Sequence, residues 1–398
     1  MNDTSDNQPI RILELRAADG AGGGPEKTIL RGARLSDPAE FQIHIVYLTG
    51  EGDSVSEIRK QADEIGVEFA AFTSKGKFDF SQLRNLREYV RDNDIQIVHS
   101  HEYKSNYMAV QLRKSFPNLK ILSTAHGWTG HSWKERFLYY PIDKRLLKSF
   151  PQLISVSSEI TGELVRKGVD SARITTIPNS IEPEKFQRCE NLRANFREQH
   201  SLSDDTFVIG AVGRLEKQKR FDLLIDAVNS IVKSGSGDNL QLLIAGEGSL
   251  KSPLEAQIQQ LDVSQHVKML GHVSDIRSLY SGMDLFVQAS DYEGTSNAVL
   301  EAMAMEVPIV ATTAGGTEDI VTHQEHGILI PTGDHKQIES GIKTLVSNDT
   351  LAAELSASAR KRVESELSFQ NRNSRLERIY ESLVGLPSST PVPATVAQ

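Results

Sequence analysis

Short apolar runs rich in β-branched residues alternate with longer amphipathic stretches along almost the whole chain. Residues 10–15, 41–49, 67–72, 95–99, 120–125, 152–156 and 173–177 read as strands. Stretches such as 81–92 and 107–115 read as helices between them. After a break the alternation resumes, with strands at 207–212, 240–245, 267–270, 284–288, 307–311 and 327–330. Some runs, such as Leu242-Leu243-Ile244-Ala245, are apolar at every position rather than at every second one. That pattern belongs to a strand with helices covering both sheet faces. Strand–helix alternation over this length predicts an α/β fold of doubly wound parallel sheets.

The chain has 398 residues, too long for one such domain and about right for two. The break between Asn179 and Asp205 is polar and carries Pro183, which suggests a linker there. The expected organisation is a Rossmann-like domain over 10–190 and a second over 200–368. The polar residues 1–9 and the proline-rich residues 387–398 are expected to be disordered tails. A net charge of −9 argues against nucleic-acid binding, which needs a basic surface. The single cysteine, Cys189, excludes an internal disulfide and a Cys-based zinc site. No signal-peptide pattern and no run of about 18 apolar residues is present, so a cytoplasmic location is expected.

Four segments carry candidate chemistry. Gly20 to Thr28, with Gly22, Gly23, Gly24 and Pro25, follows the first strand and can bring backbone close to an anion at a helix start. It is not a triphosphate-binding loop, because Ala21 and Glu26 stand where glycines are needed. Gly213 to Arg220 follows the first strand of the second half. Its Arg214, Lys217, Lys219 and Arg220 suit a diphosphate at a strand's carboxyl end. Glu293-Gly294-Thr295-Ser296-Asn297-Ala298 leads into a helical run containing Glu301. The two carboxylates can accept from sugar hydroxyls, and the backbone amides can hold sugar or phosphate oxygens. His126 stands at the carboxyl end of a strand in the first half, where a functional histidine outweighs a structural one.

Together these residues resemble the retaining glycosyltransferases of family 4, which have the GT-B fold. The resemblance runs from Ile10 to about Leu383. It is carried by Gly22-Gly23-Gly24, His126-Gly127, Ile177-Pro178-Asn179-Ser180-Ile181, Gly213-Arg214 with Lys219, Glu293 with Glu301, and Gly315-Gly316-Thr317-Glu318. Ser180 stands where the family pattern has glycine. The resemblance implies two Rossmann-like domains facing across a cleft and a final helix, about 369–385, crossing back to the first domain. It implies a nucleotide-diphosphate sugar as co-substrate, with no separate cofactor. Arg214 and Lys219 would hold the donor diphosphate and Glu301 the ribose. Glu293 and the backbone from Gly294 to Ala298 would hold the donor sugar. His272 and Val273 would meet the base, and His126 the reacting sugar and acceptor.

No metal is expected. Asp92-Asn93-Asp94 has a metal-binding spacing but reads as a solvated turn. His99 and His101 share a strand face, yet no third ligand is evident, and a loop or acceptor-site role is preferred. Residues Ser132 to Phe150 mix Trp133, Phe137, Tyr139 and Tyr140 with Lys134, Arg136, Lys144, Arg145 and Lys148. This could rest on an anionic membrane bearing a lipid-linked acceptor, though an ordinary helix pair broken at Pro141 is preferred. The acceptor is expected to be a glycan or a lipid-linked sugar. Rival readings are a GT-B epimerase or phosphorylase, and a non-catalytic protein that keeps the fold.

Overall fold

The computed structural model describes residues 8–17, 24–52, 55–74, 81–127, 139–237 and 239–386. The chain forms two units. One is Met1–Ile177 with Phe369–Gln398, the other Pro178–Ser368.

The strands of unit 1 are β1 (Ile10–Ala17), β2 (Phe41–Thr49), β3 (Glu68–Thr73), β4 (Ile97–Ser100), β5 (Lys120–Ala125), β6 (Gln152–Ser155) and β7 (Ile174–Thr176). They form one parallel sheet in the order β3-β2-β1-β4-β5-β6-β7. Its helices are α1 (Gly24–Leu35), α2 (Ser56–Glu64), α3 (Ser81–Asp92), α4 (Tyr103–Ser115), α5 (Tyr140–Leu147), α6 (Ser158–Arg166) and the last helix, α15 (Phe369–Val384). Alternate residues of β1 serve opposite cores. Leu13 and Leu15 join one cluster, and Ile10 and Ile12 join the other with Ile29, Leu376 and Tyr380. Helix α15 therefore belongs to the core of unit 1. Its Arg375 donates to Thr176 O at 2.7 Å, and its Asn373 donates to Ser36 at 3.2 Å.

Unit 2 repeats the plan with β8 (Phe207–Val212), β9 (Leu240–Ala245), β10 (Val267–Gly271), β11 (Leu285–Gln288), β12 (Ile309–Thr312) and β13 (Ile328–Ile330). The order is β10-β9-β8-β11-β12-β13, all parallel. Every residue of β9 is buried, as its unbroken apolar run predicts. The helices are α7 (Glu190–Gln199), α8 (Phe221–Lys233), α9 (Lys251–Gln260), α10 (Ile276–Gly282), α11 (Asn297–Ala304), α12 (Thr317–Ile320), α13 (His335–Val346) and α14 (Asp349–Ser365).

The change of unit comes at Ile177/Pro178, earlier than the polar stretch suggests. That stretch is no linker. It folds into α7, which packs on α10 so closely that Phe196 occupies the space a side chain at Gly282 would need. Its charges are spent inward. Buried Arg197 donates to Ser203 O and Thr206 O, both at 2.6 Å, and to Gly282 O at 3.3 Å. Arg193 pairs with Asp284 at 2.6 Å, and Asp284 accepts from Val208 N at 2.8 Å. Breaking a buried charge network leaves its partners desolvated and unpaired. Arg197→Leu should lower the stability of unit 2 by about 3 kcal/mol. Urea unfolding followed by circular dichroism checks this, and an unshifted midpoint would contradict it.

Candidate functional site

In a parallel sheet all strands end at one edge, so the segments after them gather there. In unit 2 that edge carries Gly213 to Arg220 after β8, Gly246 to Gly248 after β9, His272-Val273 after β10, and Ser290 to Ser296 after β11. The β8 and β11 segments are tied together. Gln218 donates to Tyr292 O at 2.6 Å and accepts at its own carbonyl from Asp291 N at 2.9 Å. Lys219 pairs with Glu293 at 2.5 Å, and Ser290 donates to the same carboxylate oxygen at 2.7 Å. Gly316, after β12, donates its N–H to Glu293 O at 3.1 Å.

Arg214 and Asn297 are exposed, and Thr295 and Ser296 are buried. Ser296 caps α11 by accepting from Val299 N at 3.4 Å. Thr295 is held by Asn179, whose backbone N–H donates to its hydroxyl and whose amide donates to its carbonyl, both at 3.3 Å. Gly294 and Ala298 are half-buried. Glu301 lies one turn into α11, 3.1 Å from the Tyr280 hydroxyl. His272 is exposed and Val273 half-buried.

Two features depart from the expectation. Arg220, expected to face a diphosphate, pairs with Asp222 and Asp291, each at 3.1 Å. The second is Gly246, whose signal in the sequence is the Gly-Glu-Gly run after β9. Its φ is +147°, and a Cβ there would lie 1.8 Å from Gly213 O. Only glycine lets the β8 and β9 segments pass this closely.

In unit 1, Gly24 opens α1, while Gly22 and Gly23 lie outside the described residues. The same holds for 132–138 of the aromatic and basic segment. Its described part forms α5, with Pro141 in the first turn. Helix α4 begins at Tyr103, earlier than expected, because Glu102 and Ser105 form a capping box. Asn106 then donates to buried Asp143 of α5 at 2.7 Å and accepts from Ser100 and Ser123 at 2.6 and 2.7 Å. This fixes α4 and α5 against the ends of β4 and β5.

His126 stands just beyond β5, half-buried, lining a pocket of about 150 Å³ with Arg16, Glu102, Tyr103 and Asp143. Arg16 pairs with Glu26 at 2.7 Å. His126 Nε2 is 3.3 Å from His101 Nδ1. His101 and His99 do have a third partner, contrary to expectation. Glu14 of β1 pairs with His99 in register. Its carboxylate meets His101 Nε2 at 2.5 Å, His99 Nδ1 at 3.1 Å and the Tyr380 hydroxyl at 2.8 Å. Register between distant strands leaves no trace in the sequence, so Glu14 could not be found there. These are metal-ligand types. Each ligand atom is nonetheless engaged by protein, with His99 Nε2 2.7 Å from the Thr124 hydroxyl.

Burial opposes ionisation of Glu14, but the charges and hydrogen bonds of His99 and His101 prevail and hold its pKa well below the usual carboxylate range. Burial, and then His99, push His101 down to about 4. Burial, and then His101, Arg16 and Arg372, depress His126 well below the ordinary histidine value.

The family follows from two matches. Glycosyltransferase Family 4 matches residues 22–185, and Glycosyl transferases group 1 matches residues 193–362. EpsD of Bacillus subtilis, a glycosyltransferase-family protein, is 30% identical over 311 residues, 75% of this chain and 80% of EpsD. The chain belongs to glycosyltransferase family 4. The chain is also similar to the UDP-Gal:alpha-D-GlcNAc-diphosphoundecaprenol alpha-1,3-galactosyltransferase of Escherichia coli. It is 25% identical over 314 residues, 77% of this chain and 80% of that enzyme. The fold is shared with Anabaena Alr3699/HepE in complex with UDP, with a TM-score of 0.81 and 18% identity over 94% of this chain and 100% of that one. This family 4 enzyme thus has the GT-B fold, and no described helix is long and apolar enough to cross a membrane.

The histidine cluster gives the enzyme a definite acid response. The unfolded chain takes up protons on His101 and His126 as pH falls through about 6.5, and the folded chain does not. Stability is therefore full above that value and lost below it. Glu14 adds a loss of the same sign below its unfolded pKa of 4.5. His101 alone should cost about 2 kcal/mol between about pH 6.5 and pH 5. Urea unfolding at the two pH values tests this, and equal stability would refute it.

Proposed function

We propose that this enzyme moves a hexose-type sugar, with retention, from a uridine-diphosphate donor to a hydroxyl on a glycan or lipid-linked acceptor, in polysaccharide, lipopolysaccharide or glycolipid assembly. The observation that carries the reading is the Lys219–Glu293 pair at 2.5 Å on the carboxyl edge of unit 2, with Arg214 exposed beside it in sequence. HepE is described in complex with UDP-glucose, and the Escherichia coli relative acts on UDP-Gal and a diphosphoundecaprenol acceptor.

Departure of the leaving group puts negative charge on the diphosphate while the anomeric carbon becomes cationic. Arg214 and Lys219 stabilise that state more than the ground state. Lys219 is oriented in advance by Glu293, which in turn takes a donor-sugar hydroxyl. Glu301 accepts from the ribose, and His272-Val273 meets the base. Gly22, Gly23 and Gly24 belong to the donor-binding set that the family resemblance implies. His126 meets the reacting sugar and acceptor.

A lipid-linked acceptor fits the paired helices α4 and α5. Tyr107 and Ile142 on them are 46% and 49% exposed, and Arg145 of α5 and Lys148 just beyond it are exposed as well. Lys144 contributes less, because it pairs with Glu163 at 2.5 Å. The enzyme would then work at the cytoplasmic face of a membrane without spanning it.

The decisive experiment is donor turnover with product stereochemistry read by NMR. An inverted product would refute the reading. Two variants separate the carboxylates. Glu301→Gln should mainly raise donor KM, because the ribose does not react, and Glu293→Gln should mainly lower kcat, because charge develops on the sugar it touches. Losses in the same parameter to the same degree would contradict that division.

Activity should also survive excess EDTA, since the fixed cations take the role a metal ion would have. Loss restored by magnesium or manganese would overturn the metal-free mechanism.

A further inference from the structure

We propose that Glu14 and His101 are positioning residues that fix which nitrogen of His126 carries its proton, so that His126 meets the reacting sugars with an unprotonated Nδ1. The inference rests on the reading of His126 as a residue at the reacting centre.

The argument runs along one chain of contacts. A buried carboxylate can only accept hydrogen bonds when ionised. The groups around Glu14 must then all donate: His99 Nδ1 at 3.1 Å, the Tyr380 hydroxyl at 2.8 Å and His101 Nε2 at 2.5 Å. His101 is therefore the Nε2–H tautomer, and in its neutral form its Nδ1 is an acceptor. The group at that nitrogen is His126 Nε2, 3.3 Å away. A lone pair there accepts only if His126 donates, so the proton of neutral His126 sits on Nε2. Its Nδ1 is left with a lone pair, able to accept from a sugar hydroxyl.

The surroundings support a neutral pair. Around His126 stand His99 of β4, His101 just beyond it, Arg16 of β1 and Arg372 of α15, each of which disfavours a proton on it, while Glu102 and buried Asp143 line the same pocket. Burial holds His101 neutral at ordinary pH. The negative charge on Glu14 interacts with buried Arg372, from the same helix as Tyr380. His99 takes the opposite tautomer, donating from Nδ1 and accepting at Nε2 from Thr124. Two histidines on one strand face thus have opposite tautomers, and only His101 passes its choice onward.

Glu14→Gln tests the chain directly. Tyr380 and His99 both donate to one carboxylate oxygen, so the glutamine keeps its oxygen there and turns its amide toward His101. His101 must then accept at Nε2 and carry its proton on Nδ1, and His126 must follow. Long-range proton–nitrogen spectra of the full-length enzyme, labelled with nitrogen-15 histidine, read this. Wild type should show His101 and His126 protonated at Nε2, and Glu14→Gln should move both protons to Nδ1. His126 protonated at Nδ1 in the wild type overturns the inference, and so does an unmoved His126 proton in the folded variant. Should Glu14→Gln fail to fold, the wild-type spectrum decides alone.

Kinetics supply the second readout. Glu14→Gln should lower kcat on the order of tenfold with donor KM little changed. Combined with His126→Ala it should add nothing further, since it acts through that residue. A wild-type kcat in His126→Ala would refute the catalytic reading of His126, while the spectra would still report the tautomer coupling separately.

Discussion

Every strand of each unit runs in the same direction, and this one constraint decides where chemistry can be placed. Parallel strands need a helix between them, which carries the chain back beneath the sheet and delivers the next strand end to the same edge. Residues distant in sequence are thereby brought together: Lys219 and Glu293 are 74 positions apart, and Glu14 and His101 are 87 apart. The price is crowding at the edge. Gly246 shows how tight it is, because the β8 segment passes through the space that any side chain there would fill. The strands can be apolar throughout because helices cover both faces. Polar side chains are therefore affordable only at strand ends or where partners meet them inside.

The cluster around Glu14 is that second case. An ionised carboxylate in an apolar interior costs several kcal/mol unless donors surround it. Here two imidazoles and a phenol donate, and Arg372 interacts with the charge. Two of these partners, Tyr380 and Arg372, come from α15, at the far end of the chain. The last helix is thus more than an apolar cover for unit 1. Without it the interior of the sheet would hold a negative charge with two histidines and no cation from that side. Packing and electrostatics require the same helix in the same place.

The fold was legible because its signals are local. Each predicted strand appears, with ends within a few residues, since continuous apolar runs bounded by polar turns say little else. The segments at the carboxyl edge of unit 2 stand out for a related reason: Gly213, Lys219, Glu293 and Glu301 all come after strands, in stretches whose composition is unlike their surroundings. What the sequence could not supply depended on partners. The polar stretch before β8 looks like a linker because nothing local tells a solvated arginine from Arg197, whose guanidinium serves buried carbonyls. Arg220 reads as a free cation in its loop, and its pairing with Asp222 and Asp291 is visible only in the fold. Glu14 looks like an odd polar residue in a strand, because its meaning lies in its register with His99.

The two units use buried charge in opposite ways. In unit 2 the ion pair of Lys219 and Glu293 holds a cation in a fixed orientation at the carboxyl edge of the sheet. Coulomb attraction between groups this close is strong even when partly solvated, so in the proposed role a diphosphate would have to offer Lys219 at least as much as Glu293 does. A diphosphate carries more charge than one carboxylate, and in the proposed role the exposed Arg214 would act on it as well. In unit 1 the charge on Glu14 is sunk beneath His101 and is not presented at all. Its effect reaches the surface only as a choice of tautomer, since hydrogen-bond direction propagates through neutral imidazoles whereas a net charge would be opposed by burial at each step. A group that must stabilise charge is best served by a fixed ion. A group that must accept a hydroxyl proton in a hydrogen bond is best served by a fixed lone pair, and a buried acid two hydrogen bonds away supplies that without making the histidine a cation.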